Sequence, residues 1–90
     1  MDNKIIVWDK NLEAKFNLMI SKIPMFHRQI ASRVAKTAAE DYARQRNSPT
    51  VNEGDVVKAF LDEVPKPFYS MMIKLFDEVG FDYRKYQGKA

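Results

Sequence analysis

His27 is the only histidine of the chain, and it stands beside the cation Arg28. A lone imidazole next to a guanidinium is a poor general base, so neither a Ser-His-Asp relay nor a His-rich metal site is expected, and His27 reads as structural or exposed. The carboxylates come as neighbours, Glu40-Asp41, Asp62-Glu63 and Asp77-Glu78. Adjacent positions diverge by about 100° on a helix, so these pairs read as surface charge and not as acid-base couples. The glycines at 54, 80 and 88 form no phosphate-cradling loop. No catalytic residue, no metal ligand and no cofactor is expected, and no cofactor-binding residue can be assigned.

Two other groups could carry binding. Arg28, Arg33, Lys36, Arg44 and Arg46 fall in one helical stretch against only Glu40 and Asp41, which makes a candidate basic face. Further on, Phe68, Met71, Met72 and Leu75 follow a proline hinge. Thioether side chains repack around different surfaces, so this group is the candidate partner face, beside its plainer reading as core.

Composition narrows the classes. The chain has 90 residues, 46% hydrophobic and 30% charged, the balance of one small globular domain spanning 1–90. It holds no cysteine, so disulfides and thiolate-held zinc or iron-sulfur clusters lie outside its means. The apolar run Ile5 to Trp8 is too short for a signal or spanning segment, which places the protein in the cytoplasm and off the membrane. A net charge of +3 is a mild basic excess, enough to allow nucleic acid as a partner without favouring it over protein.

The elements that must position these residues are helical. Ile23 to Asn47 starts at a proline and has no internal Gly or Pro, which predicts one long central helix. Phe26, Ile30, Val34, Ala38 and Tyr42, four apart, are expected to form its buried stripe, with Ala31, Ala35, Ala39 and Ala43 widening it. Asp9 is the expected cap of a first helix over Lys10–Lys22, carrying Leu12, Phe16, Met19 and Ile20 inward. Ile5 to Trp8 reads as an apolar lead-in, since no second convincing strand accompanies it, and Thr50-Val51 as a brief extended piece. Asn52 and Asp55 open a third helix through Val56, Val57, Phe60, Leu61 and Val64, stopped by Pro65 and Pro67. A fourth runs through Phe68, Met71, Met72, Leu75, Phe76 and Val79 to Gly80, with Phe81 as its cap contact and Tyr83 and Tyr86 as anchors. The fold class expected is all-α: about four helices, a hairpin with a long central helix, a short crossing helix and a docked C-terminal helix, preferably monomeric.

A resemblance adds a functional expectation. At Trp8, Glu13 and Ala14, then Ile23-Pro24 with Phe26 and Arg28, then Glu40, Tyr42 and Ala43, then Val51, Val56 and Ala59, the chain resembles the small C-terminal domain of the light-independent protochlorophyllide reductase B subunit. The Ile-Pro-x-Phe-x-Arg piece is its most specific part, and the match covers residues 8–60, leaving 66–86 as a helix and tail outside it. It departs from the family pattern by about four extra residues between Trp8 and Ile23 and about four between Arg28 and Glu40. Each insertion is about one helical turn, so both arms of one antiparallel hairpin lengthen together. The resemblance implies a non-catalytic module that meets a tetrapyrrole enzyme, a redox protein or another protein partner. A second likeness, to the histone fold, rests on the long helix followed by Thr50-Val51 and a short helix; it implies a dimer whose arginines face phosphates.

Overall fold

The computed structural model describes residues 5–85. Four α-helices and one minimal strand pair make it an all-α domain. β1 (Val7–Trp8) leads into α1 (Lys10–Ser21), the turn at Ile23-Pro24 reverses the chain into α2 (Met25–Gln45), and β2 (Thr50–Val51) leads into α3 (Glu53–Glu63). A single 3-10 turn at Lys66–Phe68 then introduces α4 (Tyr69–Val79). The lead-in is a strand after all: Val7 and Trp8 pair in parallel with Thr50 and Val51, their missing partner being more than forty residues away in sequence. Tyr86 and the end of the tail lie outside the described residues.

Local chemistry sets the boundaries. The Asp9 carboxylate accepts from the Asn11 and Leu12 amides and starts α1. Pro24 serves as N-cap of α2 with extended ψ, one position before the first turn in which it was expected. α2 ends where Asn47 turns left-handed at φ 60, a conformation its short polar side chain tolerates, and Ser48 then donates to the Ala43 carbonyl. Gly80, at φ 98, closes α4 and lets Phe81 fold back into the core.

The core differs from the expected one chiefly along α2. α1 contributes Leu12, Phe16 and Met19, α3 Val56, Val57, Ala59 and Phe60, and α4 Met72, Leu75 and Phe76. From α2 it takes Ala35, Ala39 and Ala43, whereas Phe26, Ile30 and Val34, expected inside, face outward. Small side chains let α3 approach α2 closely, and that approach decides which of the two apolar stripes of α2 is buried. Tyr42, at the edge of this contact, donates its hydroxyl to Asp62 of α3. Burial, helped by that carboxylate, pushes the hydroxyl from 10 up to about 12. Because the folded value is the higher, the stability it contributes is whole below pH 10 and is lost as pH rises towards 12. Tyr42→Phe is therefore expected to flatten the decline of stability across that window, followed by urea unfolding at each pH; equal slopes would show that this phenol does not govern it.

Candidate functional site

The length mismatch between α2 and α3 creates the site. α2 has 21 residues, about 31 Å, and α3 has 11, about 16 Å. α3 lies against the C-terminal half of α2, where Arg46 meets Asp55 and Tyr42 meets Asp62. The N-terminal half of α2 overhangs, and with α1 along one side its other side stays open.

That overhang carries four of the eight exposed large apolar side chains among the described residues. Phe26 is 80% exposed, Met25 76% and Ile30 58%, and Val34 follows one turn on. Beside them runs a groove of about 250 Å³. Ile30 and Val34 wall it on α2, Val64, Pro65, Phe68 and Met71 wall it on the far side, and Ala31, Ala35, Phe60 and Met72 form its floor. His27 and Glu63 stand among its lining residues. His27 is exposed, its ring centroid 4.3 Å from that of Phe26.

The residues of the resemblance hold the hairpin together. Trp8 and Glu40 are each 16 residues from Pro24, so two equal arms bring them level, and the Trp8 indole donates to Glu40 Oε2 at 2.8 Å. Lengthening both arms by one turn keeps that meeting, whereas lengthening one would break it. Glu40 is thus half-buried and engaged, unlike the plain surface charge expected. Arg28 turns back over the end of α1, its Nε 2.8 Å from the Ile23 carbonyl and Nη2 2.7 Å from the Ser21 carbonyl. It satisfies carbonyls that a helix terminus leaves without partners. Ile23 and Ala43 are buried. Glu13, Ala14 and Pro24 of this set are exposed, and Phe26, 80% exposed, is its one large apolar side chain that faces outward.

Of the candidate basic face, Arg28, Arg33 and Lys36 line one cleft together with Glu40, while Arg44 and Arg46 lie apart from it. Arg46 holds Asp55 through two contacts, Nε to Oδ1 at 3.1 Å and Nη2 to Oδ2, and that pairing raises its already high pKa further. Arg44 pairs with Asp41 of its own helix and Arg28 caps α1. Arg33 and Lys36 remain exposed, Lys36 reaching over the Trp8 ring at 5.9 Å.

The candidate partner face splits as well. Met72 and Leu75 are buried in the core, while Phe68 is exposed and Met71 half-exposed in the groove wall. Ile30, Val34, Val64 and Pro65 were missed as surface. The signal lay in α2 itself: two apolar stripes, one of alanines and one of large residues, are more than a single neighbouring helix can cover.

Among the described residues no three His, Asp or Glu side chains gather as metal ligands, and no helix is long and apolar enough to cross a membrane. Comparison of the chain with family models, with curated proteins and with solved structures finds no match. None of these comparisons links the chain to the reductase B-subunit domain.

Proposed function

We propose that the chain is a non-catalytic helical docking module, similar to the C-terminal domain of the light-independent protochlorophyllide reductase B subunit, which receives a protein partner on the overhanging half of α2. The observation that carries this reading is Phe26. Of the other residues of the resemblance, Trp8, Ile23, Pro24, Arg28, Glu40 and Ala43 serve the hairpin, Val51, Val56 and Ala59 are core, Tyr42 meets Asp62, and Glu13 and Ala14 lie on the outer side of α1, while Phe26 is the one large apolar side chain left 80% exposed, in line with Ile30 and Val34. A large aromatic exposed on a helix, one turn from the apolar groove that Ile30 and Val34 line, is the composition of an interface anchor. A tetrapyrrole or redox enzyme as that partner is the finer form of the proposal and draws on the resemblance.

The strand pairing supports this reading over the histone-like one. β2 is paired with β1 of its own chain, where a histone-type dimer would pair the loop after the long helix with a second chain. The test is a photo-crosslinking residue placed at Ile30, with the same residue at exposed Lys58 on α3 as control, in cells that make the protein. A discrete adduct from position 30 alone is expected. A tetrapyrrole or redox enzyme in the adduct would support the finer form, and a different protein would overturn that form while keeping the docking reading. An adduct of about twice 10.5 kDa would show self-pairing, and no adduct, or equal adducts at both positions, would overturn the module reading.

A further inference from the structure

We infer that the groove beside α2 binds an amphipathic helix of a partner protein that carries carboxylates along the flank facing Arg33 and Lys36. The inference rests on the docking reading above and names the chemistry of what docks.

The shape points to a helix. The apolar anchors Phe26, Ile30 and Val34 repeat every four residues, so they line up along about 12 Å of α2. A straight ridge with a groove parallel to it fits the apolar face of another helix, whose own anchors recur at i, i+3, i+4 and i+7. The volume, about 250 Å³, is less than the roughly 300–1,000 Å³ of small-molecule sites, and the lining is almost wholly apolar, with His27 and Glu63 its polar members. Hydrogen-bonding groups that would orient a compact ligand are few, whereas helix-in-groove recognition needs little besides apolar anchors.

The charge points to acidity. Arg28, Arg33 and Lys36 share one cleft with a single acidic residue, Glu40, which is half-buried and engaged by the Trp8 indole, so the cations outnumber it on this flank. Arg28 is engaged by the end of α1. Arg33 precedes Val34 and follows Ile30 by three, which sets it on the flank of the apolar ridge away from the groove, with Lys36 further round the same side. Neither has a carboxylate partner among the described residues. A docked helix would therefore find cations along one edge, and carboxylates there would gain in both steering and register. The opposite rim carries Glu63, so the acidity is called for on one flank only.

The same charges argue against a second copy of this chain. An antiparallel two-fold pairing of the overhanging ridges would bring Arg33 and Lys36 of both copies to one seam, with only Glu40, already held by Trp8, to offset them. Like charges set together across an interface reject the wrong partner.

The probes are two synthetic, fluorescein-labelled helical peptides of about 18 residues, with Leu at the anchor spacing and either Glu or Lys on the flanks. Binding is read by anisotropy at physiological salt on the full chain. The Glu peptide is expected to bind at least about tenfold tighter than the Lys peptide. Ile30→Glu is expected to abolish its binding, and Arg33→Glu to reverse the preference. Ile30 is on the surface, so its variant should keep the helical circular dichroism; Phe26→Ala provides a second, uncharged change with the same expected loss. Equal binding of the two peptides, preference for the Lys peptide, binding untouched by both ridge variants, or no binding at all would overturn the inference. So would a dimer in sedimentation that Ile30→Glu dissolves, or duplex DNA that displaces the Glu peptide. A crosslinked partner at position 30 together with failure of the Glu peptide would leave the docking reading standing and remove only the acidic helix.

Discussion

Phe76→Ala is expected to lower the unfolding free energy by about 4 kcal/mol, the largest effect of any single truncation in this chain. Phe76 is wholly buried on α4, and three aromatic rings surround it. Phe60 of α3 stands edge-on with centroids 6.1 Å apart, Phe81 edge-on at 5.7 Å, and Tyr83 stacked at 5.8 Å. Truncation removes the transfer free energy of the ring and leaves a cavity that these stiff neighbours cannot close. A chain of this length is expected to have about 5–13 kcal/mol in total, so the loss is a large fraction of it. Phe26→Ala deletes the same atoms from an 80% exposed position and is expected to change stability by less than about 0.5 kcal/mol. Urea unfolding of the two variants side by side decides the matter. Equal effects would mean that α4 is not closed on the core in solution.

The second large effect is expected at Asp55, where Asp55→Ala should cost about 3 kcal/mol. This carboxylate is 5% exposed and does two jobs at once. It completes the capping box of α3, receiving the Asn52 amide at 3.0 Å while the Asn52 side chain receives the Asp55 amide at 2.9 Å. It also takes both contacts from Arg46 at the end of α2. Loss of a cap costs about 1 kcal/mol, and charge-assisted hydrogen bonds contribute about 1.5–3 kcal/mol more. The pair therefore ties the end of the central helix to the start of the next one, across the β2 loop. Arg46→Ala removes one half of that tie and leaves a buried carboxylate held only by the cap. Adding Arg46→Ala to Asp55→Ala is expected to cost little beyond Asp55→Ala alone, because the interaction is already gone. Additive losses in that cycle would show that the two side chains act independently.

These two sites bear on the proposed docking face because they hold the walls of the groove. Phe76 fixes α4, which carries Met71 into the groove wall, and the Asp55–Arg46 tie fixes α3, whose end supplies Val64. The ridge itself lies on α2, which Arg28 ties to the end of α1 and the Trp8–Glu40 hydrogen bond ties to β1. An anchor such as Phe26 can stay exposed at small cost because the helix beneath it is held from its other side.

How much of this was legible in the chain follows from the range of the interactions involved. The helices, their caps and their breaks are local, and Asp9, Asn52 with Asp55, Pro65 with Pro67 and Gly80 marked them by residue type within a few positions. The buried faces of α1, α3 and α4 were likewise readable, since each has one apolar stripe and one way to bury it. α2 has two, and nothing local says whether the alanines or Phe26, Ile30 and Val34 turn inward. Only the close approach of α3 to Ala35, Ala39 and Ala43, and the shortness of α3 beside α2, settled that question. The parallel pairing of Val7-Trp8 with Thr50-Val51, the splitting of the arginines among Asp41, Asp55 and the end of α1, and the groove itself are all long-range outcomes. The amino-acid sequence determined where the chain is helical and which residues are apolar; which apolar residues were left exposed was decided by how helices of unequal length pack.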